Sequence, residues 1–238
     1  MTPSAPFERH AVAVSGGTVA LALHLPAGAG PFACVLACHG LGASKESDKY
    51  LLLGEELPRA GLALARFDFR GCGESTGIES DTTVGTRIED ALAVLDRLAK
   101  HSRLDARVGL LGSSMGGFVA LQVAAVRGDG TPVVTWNAPA EMRQLERPDP
   151  PSGLGSAFFA EVASGRYGSA PAGVSRHLVV QALADDVVPP VHGATLHERA
   201  AHPKALVTIP DADHRLSDPA HRRHAVDVSR DWLAKFLG

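Results

Sequence analysis

The chain has 238 residues, 45% of them hydrophobic, which is enough to bury one large core, and α/β folds of this length often form a single domain. Its net charge is −3 and Lys and Arg form no long run, so neither nucleic acid nor an anionic membrane surface is indicated as a partner. No stretch approaches the ~20 apolar residues of a membrane span, and the opening MTPSAPFERH does not read as a secretory signal.

In chain order, HAVAVSGGTVALALHLP (10–26) alternates apolar and polar residues around Gly16-Gly17, the pattern of a hairpin with a two-residue glycine turn. FACVLAC (32–38) is a short apolar run of the kind buried on both faces of a sheet, and residues 48–60 follow it with apolar positions at helix spacing. GLALARFDF (61–69) predicts a strand. Residues 84–100 predict a helix with Ile88, Leu92, Leu95 and Leu98 on one face. RVGLLG (107–112) predicts a strand, and 115–126 a helix that is apolar nearly all round and therefore buried.

After a strand at 132–138 the rhythm breaks. Residues 138–174 carry five prolines and five glycines with no clear strand, and read either as a surface excursion packing its own aromatics or, the preferred reading, as a small lid over a binding cleft. Within them, 154–164 predicts a short helix that exposes Phe158 and Phe159. Strands at 177–183 and 205–210 and helices at 190–202 and 219–237 complete the set. Strands alternating with helices after an opening hairpin imply a mostly parallel sheet covered on both faces, in one domain.

The three cysteines, Cys34, Cys38 and Cys72, make no disulfide framework and fit a reducing, cytoplasmic setting. Cys34 and Cys38 lie about 13 Å apart on one extended strand, too far for a bridge, and read as small buried hydrophobes.

Residues 112–116, Gly-Ser-Ser-Met-Gly, fit G-x-S-x-G centred on Ser114, between a buried strand and a buried helix. A strand that turns abruptly into a helix holds Ser114 in a strained conformation, and side chains at 112 and 116 would collide. The turn lifts the hydroxyl above the sheet and points the Met115 N–H at the same spot, at the positive end of the helix. A serine hydroxyl needs a base, and the base needs a partner that fixes its tautomer. These are expected past later strand ends in the order Ser, acid, His. ADDVVPP follows the strand at 177–183, and DADHRLS follows the strand at 205–210. His214 is the one histidine on a loop just past a late strand. Asp185 is the first carboxylate past its strand end and is preferred over Asp186, which is left to cap the helix near Pro189-Pro190. Asp211 and Asp213 read as turn-formers. The glycines of CHGLGASKE allow close approach to a substrate oxygen, which nominates the Leu41 N–H as the second oxyanion donor, with His39 orienting the loop.

The segments HGLGASKE, RFDFRGCGES, GSSMGG, ADDVVP and DADHRL, in this order, resemble the motifs of serine hydrolases of the α/β-hydrolase fold. Within that superfamily the chain is similar to bacterial feruloyl (cinnamoyl) esterases and to serine aminopeptidase-like and acylglycerol-lipase-like hydrolases. The resemblance implies Ser114, Asp185 and His214 as a triad, the N–H groups of Leu41 and Met115 as oxyanion donors, and an acyl-enzyme route with no cofactor or metal. The sequence departs from the family pattern in two places. The insertion at 138–174 is shorter than many lids, and Cys72 stands where relatives often have His or Tyr.

Rival readings are weaker. Glycines at 71, 73 and 77 miss the spacing of a dinucleotide fingerprint, and GLGASKES lacks the lysine spacing of a P-loop. Histidines at 192, 197 and 202 do not share a helical face, which argues against zinc. Ser114 excludes the aspartyl-ester route of dehalogenases and epoxide hydrolases. The expected activity is hydrolysis of a small-molecule carboxylic ester with a small to medium apolar or aryl acyl group. Amide or thioester cleavage and a perhydrolase use the same three residues, and a catalytically idle binding protein is the alternative of another class. Monomer and homodimer remain open.

Overall fold

A computed structural model describes residues 7–142 and 153–238. Its eight strands form one sheet in the order β1-β2-β4-β3-β5-β6-β7-β8. The first two, β1 (Glu8–Val14) and β2 (Gly17–His24), make the antiparallel hairpin, and β2 continues antiparallel onto β4 (Ala63–Phe67). The others, β3 (Phe32–Cys38), β5 (Leu104–Ser113), β6 (Val133–Trp136), β7 (His177–Ala182) and β8 (Lys204–Ile209), run parallel with β4.

The hairpin turn sits one residue earlier than predicted. Val14 pairs with Gly17, so Ser15-Gly16 form the loop and Gly17 belongs to the strand. A side chain at Gly17 would meet the Thr76 hydroxyl at 2.0 Å, which accounts for a glycine outside the turn.

Burial of both sheet faces follows from the apolar runs. In β3, Cys34, Leu36 and Cys38 enter one core while Ala33, Val35 and Ala37 enter the other. The first core is closed by α2 (Val84–Leu98), α3 (Met115–Arg127) and α5 (Val191–Arg199), the second by α1 (Asp48–Arg59) and α6 (Pro219–Leu237). The cysteines are free and buried. The Cys72 thiol lies 3.5 Å from Glu79 Oε1, and burial pushes it up to about 11. A helix buried nearly all round is what α3 becomes, with Phe118, Val119, Ala120 and Leu121 all inaccessible.

Of the insertion predicted at 138–174, residues 143–152 lie outside the described residues. The described part closes at its base. Glu141 bridges Ser169, Met142 N–H donates to Gly168 O at 2.8 Å, and Ala170 N–H donates to Ala140 O at 2.8 Å. The helix α4 (Ser156–Ser164) is held on the N-terminus of α2 by Glu161, which accepts from Thr83 Oγ1 and Gly85 N–H. The two phenylalanines divide. Phe159 is 41% exposed, but Phe158 turns inward and joins the first core, contrary to its predicted exposure. Among the described residues no helix is long and apolar enough to cross a membrane.

Four buried histidines, His24, His39, His177 and His192, are expected to make the fold acid-sensitive, because burial lowers the pKa of each. Burial pushes His24 and His39 down to about 4 and His177, whose Nε2 lies 2.9 Å from Thr135 Oγ1, down to about 3. In the unfolded chain each takes up a proton near pH ~6.5, so below that pH the unfolded state binds more protons than the folded one. Their contribution to stability is complete above pH ~6.5 and is lost as pH falls toward the folded values. Melting temperature should therefore drop steadily from pH ~6.5 to ~4, and His177→Gln should flatten that slope; circular dichroism melts across the range check both.

Candidate functional site

The elbow is built from a strand end and close backbone packing. Ser114 stands between β5 and α3 with φ +55° and ψ −127°, a conformation forced on a non-glycine residue. A methyl at Gly112 would lie 2.2 Å from Gly116 O, and one at Gly116 would lie 2.1 Å from Cys38 O. Glycine is therefore required at both positions, in the second case because α3 begins hard against the end of β3. Gly112→Ala is expected to destabilise the fold by about 1–3 kcal/mol and to slow reaction at Ser114. Thermal unfolding and the rate of active-site labelling check this.

The first turn of α1 grips the elbow from behind. Lys49 Nζ donates to Ser113 Oγ at 2.7 Å and the Tyr50 hydroxyl donates to Cys38 O at 2.9 Å.

The three residues singled out in the sequence meet. His214 Nε2 lies 3.1 Å from Ser114 Oγ, and His214 Nδ1 lies 2.7 Å from Asp185 Oδ2. Asp185 is buried, and its other oxygen accepts the N–H groups of Val187 and Val188 at 2.9 and 2.8 Å. That loop fixes the carboxylate and leaves Oδ2 for the imidazole. With Nδ1–H given to the carboxylate, the Nε2 lone pair faces the serine hydroxyl and can accept its proton.

Asp186 is exposed and does not cap α5, whose N-cap is Pro190 with no side-chain bond. The reason is local: proline at the cap leaves Asp186 upstream of the helix start. Asp213 acts as the turn-former expected, its carboxylate accepting the Ser217 N–H at 2.8 Å, and Asp211 takes the turn's positive φ of +56°.

The loop after β3 lies against the elbow. A methyl on Gly40 would come within 3.7 Å of Ser114 Oγ. The next N–H is that of Leu41, and Met115, as the first helical residue, has no intrahelical acceptor for its own. Among the described residues neither N–H donates a hydrogen bond. His39 orients the loop: Nδ1–H donates to Gly40 O at 2.8 Å while Nε2 accepts the Phe69 N–H at 3.1 Å.

A buried ion pair explains why GLGASKES and RFDFRGCGES occur together, a pairing not apparent from the sequence. Lys45 Nζ donates to Asp68 Oδ2 at 2.7 Å and to Glu74 Oε2 at 2.5 Å, and the Lys45 N–H donates to Asp68 Oδ1 at 2.7 Å. Burial works against the ammonium, but the two carboxylates hold its pKa above the ordinary lysine value. The clasp joins the loops after β3 and β4. A side chain at Gly73 would collide with Asp68 at 2.2 Å.

Among the described residues one group of metal-type donors comes together, away from the elbow: Glu8, His10 and His101. Both imidazoles place Nε2 3.1 Å from Glu8 Oε2. Their Nδ1 atoms face donors, Arg97 Nη2 at 3.4 Å and Arg103 N–H at 3.3 Å. A metal on Nε2 needs the proton on Nδ1, where donors already point, so the hydrogen bonding suits a carboxylate receiving two imidazole N–H groups.

The doubly covered parallel sheet with its antiparallel hairpin, and the serine elbow at the carboxyl end of β5, define an α/β hydrolase. Comparison with known proteins narrows the class: the chain belongs to the S33 serine aminopeptidase family, whose model matches residues 29–163, more than half of it. The 2,6-dihydropseudooxynicotine hydrolase of Paenarthrobacter nicotinovorans is 35% identical over 135 residues, which cover 56% of this chain and 35% of that enzyme. This chain thus aligns with about a third of the length of that curated relative. Est1E from Butyrivibrio proteoclasticus, solved with ferulic acid bound, has a TM-score of 0.81 at 18% identity, covering 96% of this chain and 99% of its own. Alpha/beta hydrolase domain-containing protein 10 from mouse has a TM-score of 0.77 at 18% identity, with the same coverage. These two likenesses are of fold.

Proposed function

We propose that this chain hydrolyses carboxylic esters with small to medium apolar or aryl acyl groups through an acyl-enzyme. The observation that carries the reading is the relay of Ser114 Oγ to His214 Nε2 at 3.1 Å and His214 Nδ1 to Asp185 Oδ2 at 2.7 Å. His214 takes the Ser114 proton as the oxygen attacks the ester carbonyl. The resulting oxyanion receives the N–H groups of Leu41 and Met115. His214, oriented by Asp185, then gives its proton to the leaving alcohol. Water, deprotonated in turn by His214, attacks the acyl-enzyme; collapse returns the proton to Ser114 and frees the acid.

An apolar acyl group is favoured by the composition of the sheet face on which the elbow opens: Met115 belongs to the same buried apolar cluster as Met142 and Phe158, with Leu41 and Leu154 packed against that cluster. In this reading α4, within the described part of the insertion, serves as a lid over that group, with Phe159 available at its surface. Est1E, a protein of the same fold, holds ferulic acid, which is an aryl acid.

The family name favours one second reading, cleavage of an aminoacyl amide by the same residues. A series of p-nitrophenyl esters of rising chain length, run beside aminoacyl anilides, separates the two. Faster turnover of the anilides would replace the ester assignment. A fluorophosphonate probe that failed to modify Ser114 would remove the hydrolase mechanism itself.

A further inference from the structure

Asn137 sits where the strand ends bearing the three site residues meet. It follows β6 directly, is 1% exposed, and has a left-handed φ of +50°, a conformation asparagine tolerates better than most side chains. Its backbone N–H extends the pairing with β7, donating to Val180 O at 3.0 Å. Its side chain then bonds in two opposite senses. Oδ1 accepts the Ala182 N–H at 2.8 Å, at the end of β7 just before Asp185, and Nδ2 donates to the main-chain carbonyl of His214 at 2.9 Å. The residue before it, Trp136, offers its carbonyl to the Ser114 N–H at 2.8 Å.

We infer that Asn137 is a positioning residue for the reaction: its amide holds the His214 main chain in register with the elbow and with the strand leading to Asp185. The inference rests on the hydrolase reading above. Other bonds tie the end of β7 to the histidine loop, Leu183 N–H to Ile209 O and Ala184 N–H to Ala212 O, but they stop short of His214. The Asn137 amide makes its bond at His214 itself. The site asks for one acceptor and one donor on the same short side chain. A carboxylate lacks the donor and an aliphatic group lacks both.

The test compares Asn137→Gly and Asn137→Asp with the unaltered protein. Glycine accepts the positive φ and removes the amide. Aspartate is nearly isosteric and keeps the acceptor for Ala182, but sets an oxygen against the His214 carbonyl. The rate of fluorophosphonate labelling of Ser114 and kcat for a p-nitrophenyl ester should each fall roughly 10²-fold, since small misplacements of reacting groups have effects of that size. KM should stay unchanged, because what is lost acts in the transition state. For Asn137→Asp the acid limb of the kcat/KM profile should also move to higher pH, because a carboxylate near His214 favours the protonated imidazole. The glycine variant should leave that limb in place. A merely structural role would lower the melting temperature and the fraction of active protein while leaving kcat per labelled site and the labelling rate constant of the folded fraction unchanged. Should Asn137→Gly not fold, the aspartate variant carries the test alone. A folded variant with unaltered labelling and kcat, or with the loss confined to KM, overturns the inference. Absence of labelling in the unaltered protein would instead overturn the hydrolase reading, and this one with it.

Discussion

Ser114→Ala is expected to lower ester turnover roughly 10⁶-fold, with His214→Ala about as damaging and the double variant little worse. The losses do not add because the two groups perform one proton transfer: without the hydroxyl the imidazole has nothing to deprotonate, and without the imidazole the hydroxyl is a poor nucleophile. The fold should survive both changes. The Ser114 side chain bonds only His214 among the described residues, and the elbow is held by main-chain bonds, Ser114 N–H to Trp136 O at 2.8 Å and Gly117 N–H to Ser114 O at 2.9 Å. A residual rate about 10³–10⁴ above that in water is consistent with oxyanion donors that remain in place. Initial rates on a p-nitrophenyl ester, with intact-protein mass measured after fluorophosphonate treatment, give the answer. A Ser114→Ala protein that kept a tenth of its activity would mean that the reaction runs elsewhere.

The parts of this site that are legible in the sequence are those where local geometry restricts residue type. Glycine at 112 and 116 is demanded by atoms within a few ångströms, so the elbow shows in a five-residue window. The two cores show in FACVLAC because alternate residues of one strand face opposite ways. The pairing of Ser114 with His214 spans 100 residues, yet chain order after a parallel strand was enough to nominate it. Other features depend on contacts with no local signature. Asn137 meets His214 across 77 residues, and Lys45 meets Asp68 across 23; in the sequence each is one polar residue beside a strand end. The hairpin turn was displaced by one residue because Gly17 answers to Thr76, far along the chain, and not to the turn. Phe158 and Phe159 are neighbours of equal hydrophobicity, and which one turns inward depends on how α4 packs.

Asp185→Asn should lower turnover by about 10⁴, while Asp186→Asn leaves it close to the unaltered rate. The asparagine oxygen can still accept the N–H groups of Val187 and Val188, so the loop keeps its shape. Its amide nitrogen then faces His214 Nδ1 with a hydrogen of its own. Two donors cannot share that 2.7 Å contact, and the imidazole relieves the conflict by moving its proton to Nε2. In that tautomer Nε2 presents N–H to Ser114 and has no lone pair to accept the hydroxyl proton. The loss should appear in kcat with little change in KM, because ground-state binding does not involve the carboxylate. Asp186 is exposed, and the carboxylate bonded to the imidazole is that of Asp185, so removing the Asp186 charge should change little. Steady-state kinetics of the two variants on one ester decide the matter. If Asp186→Asn proved the more damaging, the loop after β7 would have to rearrange before reaction, and the acid assigned to His214 would be the wrong one.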